Sequence, residues 1–194
     1  MKQTCCVFYF DKNKYQTLAA AAASSFKYFH DDEIDTYVFS PCEGLEMPCN
    51  HPPKSLDVSI YGGITKFRVA SLMFKKGYEK VIILGADTIV LSRLDEFLDN
   101  DKDDVLATLD YAERIFVDQA GNHVAGINSD VICFNNADVL DLILSRCHLH
   151  IDTKEPLYEQ GALNDVMLAR KQIGCSFAFV EVESGALYNV RSKG

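Results

Sequence analysis

The chain has 194 residues, of which 48% are hydrophobic, enough for one domain with a full-sized core. Its formal net charge of −9 and pI near 5 exclude a broad basic surface for nucleic acid or anionic membrane, because phosphate backbones are bound by clustered Lys and Arg. It contains no run of 18 apolar residues, so no membrane span is expected, and the N-terminal "MKQTCCVFYF" does not read as a signal peptide.

In chain order, "TCCVFYF" (4–10) reads as a buried strand and "DKNKY" as a turn, followed by an alanine-rich helix over 16–29. A second strand is expected over 34–40, ending at Pro41, and then a polar, proline-containing loop to about residue 55. "LDVSIYGG" reads as a short extended piece. A helix over 64–76 follows, with apolar residues at 64, 67, 69, 72 and 73 and a stop at Gly77. "KVIILGADTIVL" is the expected central strand and its exit. Two further strands are predicted at 104–110 and 124–135, helices at 137–150 and 158–172, and a last strand in "CSFAFVEV". Strands alternating with helices predict an α/β fold, a mostly parallel mixed sheet covered by helices on both faces. Ligands of such sheets bind beyond the C-terminal strand ends, where Asp11, Asp87, Asp110 and Asn128 are expected to gather.

The seven cysteines are an odd number without a C-x-x-C pair, which argues for free thiols and a reducing, cytoplasmic compartment. Cys42 and Cys49, in a loop with His51 between prolines, are the one cysteine pair to weigh as a metal site, and they read as ordinary loop residues. Asp87 is different. An acid set among apolar residues carries a burial penalty unless a cation or hydrogen-bond donors meet it, and Mg²⁺ or Mn²⁺ shared with diphosphate oxygens meets it well.

"KGYEKVIILGADTIVLSRLDEFLD" resembles the central segment of the glycogenin-like retaining glycosyltransferases, in which a strand ends in Asp-x-Asp-Thr-x-Val before a Leu/Ile-Asp-x-Phe helix. "ITKFRVASL", "ATLD", "GINSDVICFN" and "YEQGALNDVM" resemble four further family segments in the same order, and "VFYFDKNKYQTLAAAAASS" resembles the nucleotide-pocket strand. The resemblance implies a single Rossmann-like GT-A domain over 1–194, compact or the first domain of a longer protein. It implies a metal-dependent enzyme that moves a hexose-type sugar from a UDP-sugar donor to a glycan or other hydroxyl acceptor. Residue by residue, it implies a nucleoside edge of Phe10, Asp11 and Ala86, with Tyr15 packing on the base. Lys66 faces the donor, Asp87 holds Mn²⁺ or Mg²⁺, and Asp110, Asn128 and Ser129 approach the sugar. Glu159 and Gln160 lie under the anomeric centre of an oxocarbenium-like transition state.

The chain departs from that pattern at Gly85, which stands where the first acid of Asp-x-Asp belongs, and at Asp130, which stands where the family has glycine. Asp130 is therefore expected to contribute to the donor-sugar pocket, and Asp87 to hold the metal with the substrate's own oxygens. Glu159 replaces the usual aspartate. The family's late His-Phe-x-Gly-x-x-Lys-Pro-Trp segment, source of a third metal ligand, has no counterpart up to "LYNVRSKG". These departures keep a second function in view, a non-catalytic nucleotide-sugar-binding module. A sugar-nucleotide pyrophosphorylase would need a glycine-rich loop after the first strand, and "FYFDKNKY" has no glycine.

Overall fold

The computed structural model describes residues 3–31, 33–42, 44–55, 62–110, 115–117, 121–150 and 158–180. Its elements run β1 (Thr4–Tyr9), α1 (Gln16–His30), β2 (Asp35–Ser40), β3 (Lys54–Ser55), α2 (Ile64–Lys75) and β4 (Lys80–Gly85). They continue with α3 (Asp95–Asp99), β5 (Val105–Leu109), β6 (Ile115–Val117), β7 (His123–Ala125), β8 (Ile127–Phe134), α4 (Ala137–His150), α5 (Tyr158–Ile173) and β9 (Phe177–Phe179). Seven strands form one sheet in the order β3-β2-β1-β4-β8-β5-β9, and β6 pairs with β7 as a separate ribbon. In the large sheet only β8 runs against the rest. The expected α/β architecture, mostly parallel with helices on both faces, is what forms.

The strands read as continuous apolar runs because both faces of the sheet are covered. Cys5, Val7, Val81, Ile83, Ile132 and Phe134 point to one face, under α2, α4 and α5. Cys6, Phe8, Ile82, Leu84 and Cys133 point to the other, where Ala19, Ala22, Ala23 and Phe26 of α1 cover them. The alanines at i, i+3 and i+4 let α1 lie close on the sheet, and Phe26 and Phe8 meet edge to face with centroids 6.0 Å apart. Burying either ring fully contributes about 2–3 kcal/mol.

Three sequence expectations shift. The central strand stops at Gly85, so the apolar residues Ile89 and Leu91 lie outside it and are exposed. The strand expected over 124–135 is two strands separated at Gly126. In α2 the buried stripe is Ile64, Phe67, Val69, Ala70 and Met73, and Leu72 turns outward. The helix ends as expected at Gly77, whose φ of 100° only glycine adopts without strain. Most of the "LDVSIYGG" piece, and the end of "CSFAFVEV" beyond Val180, lie outside the described residues.

Lys80 is an unanticipated structural residue. At 1% exposure, its ammonium donates to the carbonyls of Phe97 (2.9 Å), Leu98 (2.6 Å) and Asn100 (3.2 Å) and pairs with Asp101 at 2.9 Å. It thereby satisfies carbonyls at the end of α3 and ties the β4 exit to the sheet.

Candidate functional site

The chain leaves β1 toward β2 on one side, while β4 pairs on the other, so the sheet has a topological switch point between β1 and β4. A crevice opens there in α/β sheets. This one encloses about 450 Å³ and is lined by the ends of both strands: Tyr9, Phe10 and Asp11 from β1, and Gly85, Ala86 and Asp87 from β4. Tyr15, Gly63, Lys66, Asp130, Tyr158 and Glu159 complete its walls. Being antiparallel, β8 brings its first residues, not its last, to this end of the sheet. Leu84 pairs with Val131, which sets Asp130 beside Gly85.

Among the described residues lining the crevice, Lys66, 6% exposed, is the only basic one, against four carboxylates from Asp11, Asp87, Asp130 and Glu159. Its ammonium donates to Ser129 Oγ at 2.9 Å and Asp130 Oδ1 at 2.5 Å, and lies 3.6 Å from Glu159 Oε1. The Glu159 side chain is seated against Gly63, the first residue before α2. A Cβ there would fall 2.3 Å from Glu159 Cδ, so only glycine leaves room for it. The N-terminus of α2 and Lys66 together offset the carboxylate's charge. Tyr9 donates to the carbonyl of Gly62 at 3.2 Å, and burial pushes its phenol up to about 12, with Asp11, Tyr158 and Glu159 adding to the shift. Burial also raises Tyr158, although the Ile64 N–H bonded to its oxygen pulls the other way.

Eight of the residues nominated from sequence therefore line the crevice: Phe10, Asp11, Tyr15, Lys66, Ala86, Asp87, Asp130 and Glu159. The other four, Asp110, Asn128, Ser129 and Gln160, form a buried hydrogen-bonded layer behind its wall. Gln160 donates to Asp110 Oδ2 at 2.5 Å and accepts from Ser129 N at 3.4 Å, and Asn128 Oδ1 accepts from Asp130 N at 2.6 Å. All four are at most 4% exposed. Asn164, which sequence reasoning missed, completes the layer. It accepts from Ile127 N at 2.7 Å and donates to the carbonyls of Ile127 and Gln160. Tyr9, Gly63 and Tyr158 were also missed. Tyr158 directly precedes Glu159, and Gly63 directly precedes the helix that carries Lys66, so adjacency was the available signal.

The loop pair Cys42 and Cys49 points elsewhere. The Cys42 thiol donates to Asn13 Oδ1 and the Cys49 thiol to the His51 carbonyl at 2.8 Å. All seven cysteines are free. Among the described residues no three His, Cys, Asp or Glu side chains converge as a metal-binding group. The crevice nevertheless suits a divalent cation shared with a ligand. It has an exposed carboxylate, Asp87, which meets Asp130 across a glycine with little room for a side chain, and a surplus of negative charge. Mg²⁺ and Mn²⁺ sites of this kind take one or two carboxylates and draw their remaining oxygens from phosphate and water.

No family model matches the sequence, and no curated protein matches it. Among solved structures, the chain is similar to the galactosyltransferase LgtC, whose crystal structure was determined in complex with donor and acceptor sugar analogues. The TM-score is 0.56 at 20% identity, over 83% of this chain and 69% of that one. No described helix is long and apolar enough to cross a membrane. What the likeness shows is the fold, a mixed α/β sheet of the GT-A glycosyltransferase type.

Proposed function

We propose that this chain is a glycosyltransferase that takes a hexose-type sugar from a nucleoside diphosphate donor, with UDP the favoured nucleotide, and transfers it with retention to a hydroxyl acceptor. The observation that carries this reading is the switch-point crevice, in which four carboxylates surround one buried lysine. A diphosphate brought into such a site meets net negative charge, so it needs a cation to accompany it. The fold shared with LgtC, solved with donor and acceptor sugar analogues, supports the same reading.

When bound, Mn²⁺ or Mg²⁺ would supply Lewis-acid stabilisation of the departing diphosphate, with Asp87 as its protein ligand. Lys66 is fixed close by and offers a cation that needs no reorganisation when leaving-group charge develops. Tyr15, above the turn after β1, offers a ring to the base, and Phe10, Asp11 and Ala86 offer the nucleoside edge. Glu159 lines the crevice and is the carboxylate we assign to the sugar. Gln160 sits behind it, its amide engaged by Asp110, and so acts by holding the wall.

The test is thermal stability with UDP-glucose, UDP-galactose and UDP-N-acetylglucosamine, with and without Mn²⁺. A ligand that binds only the folded state raises the midpoint. The expected result is a Mn²⁺-dependent rise with at least one donor, slow UDP release, and loss of both in Asp87→Ala. No Mn²⁺-dependent rise with any nucleoside diphosphate sugar would sink the reading. The engagement of the Gln160 amide away from the crevice favours a second reading, a binding module without turnover. That reading predicts the same thermal shift with no UDP release.

A further inference from the structure

The crevice floor contains an exchange of carboxylates between two strands. Gly85 ends β4, and Asp130 lies on the neighbouring β8, 45 positions later in the chain. The point where a Cβ on Gly85 would sit is 3.0 Å from Asp130 Cβ, 3.4 Å from Asp130 Cγ and 3.1 Å from Asp87 Oδ1. The Asp130 side chain thus crowds the point where a side chain at position 85 would begin, and its carboxylate and that of Asp87 border the same spot. Two carboxylates this near repel unless a cation lies between or beside them. In this arrangement Lys66 takes that part for Asp130 from one side, at 2.5 Å. The Asp130 side chain is still 41% exposed and lines the crevice.

Resting on the metal-assisted reading above, we propose that Asp130 is the second carboxylate arm for the divalent cation. The two protein ligands, Asp87 and Asp130, then come from adjacent antiparallel strands rather than from one strand end. Gly85 is glycine because the arm enters from β8 and fills its place. Asn128 sets the arm's direction, since its side-chain oxygen accepts the Asp130 N–H at 2.6 Å and fixes the backbone there. Lys66 has three N–H donors, and one of them holds Asp130. When Asp130 turns to the cation, that donor is released to a phosphate oxygen, so cation and diphosphate binding reinforce one another.

The experiment titrates Mn²⁺ into the protein in the presence of UDP and follows free Mn²⁺ by electron paramagnetic resonance, a readout independent of turnover. The isosteric Asp130→Asn is expected to weaken Mn²⁺ binding about tenfold or more, as Asp87→Asn does. Gly85→Asp alone forces a side chain against Asp130 and lowers the thermal midpoint. The double variant Gly85→Asp/Asp130→Gly returns the arm to β4 and is expected to bind Mn²⁺ at close to wild-type affinity, while Asp130→Gly alone does not. Wild-type affinity in Asp130→Asn alongside loss in Asp87→Asn overturns the second arm and leaves the metal-assisted reading standing. A folded double variant that fails to recover binding overturns it too. Absence of UDP-dependent Mn²⁺ binding in the wild type removes the metal-assisted reading and the arm together.

Discussion

The two polar regions at the C-terminal edge of the sheet are built on opposite principles. In the layer formed by Asp110, Asn128, Ser129, Gln160 and Asn164, amides and hydroxyls meet backbone groups and one another, and burial is nearly complete. A few ångströms away, in the crevice, four carboxylates share one lysine. The layer is bonded through its own members and through Lys66, and it holds β8 to α5. The crevice is satisfied only in part by its own residues, and the charge left over is what gives it affinity for a cation and a polyanion. Position in the fold, not residue type, separates the two: Asp110 and Asp87 are both strand-end aspartates, but one is 4% exposed and bonded to Gln160, while the other is exposed to the crevice.

The contrast is broken most severely at Asn164. Asn164→Ala leaves the buried N–H and C=O of Ile127 without partners and is expected to cost about 3 kcal/mol in urea denaturation. A cost near zero would mean that the layer carries no weight. Gly63→Ala acts where the two regions meet. Its Cβ displaces the end of the Glu159 side chain, which gives an expected loss of about 1 kcal/mol or less together with weakened donor binding. Stability lost with binding intact would place Glu159 outside the donor's reach. Asp87→Asn, in the crevice and exposed, should leave stability within about 0.5 kcal/mol of wild type. Its UDP-sugar turnover should nevertheless fall more than about a hundredfold, because leaving-group stabilisation is lost.

The smallest effect concerns Tyr9, a crevice residue that titrates as a buried one. Its folded pKa of about 12 exceeds the ordinary 10.0, so the neutral phenol stabilises the fold in full below pH 10. That contribution disappears as pH rises through 12. Stability of the wild type should therefore fall relative to Tyr9→Phe between those values, and parallel curves would show that the phenol is not held by burial.

How much was legible can be judged at single residues. The apolar runs of β1, β2 and β4 and the 3.6-residue spacing of α1 and α2 identified an α/β sheet, because burial on both faces imposes those patterns directly. Asp87 was visible as an acid at the end of an apolar run, and the crevice beyond β1 and β4 follows from strand order. Lys80 was not visible as a helix-end clamp. Its carbonyl partners come from a five-residue helix whose position depends on the whole β4–α3 connection.

The sequence by itself determined the layers, the edge of the sheet where polar groups gather, and the residue types able to meet a diphosphate. Alternation and periodicity are local consequences of covering a sheet, so they can be read without a fold in hand. Only the tertiary structure decided which of those groups face the crevice and which brace it from behind. The reversal of β8 is the reason. One antiparallel strand in a parallel sheet sets Asp130 over Gly85 and Ser129 under Lys66, and no spacing along the chain encodes that meeting. Gly85 is an absent acid when read along the chain; across the strands it is the room that Asp130 occupies.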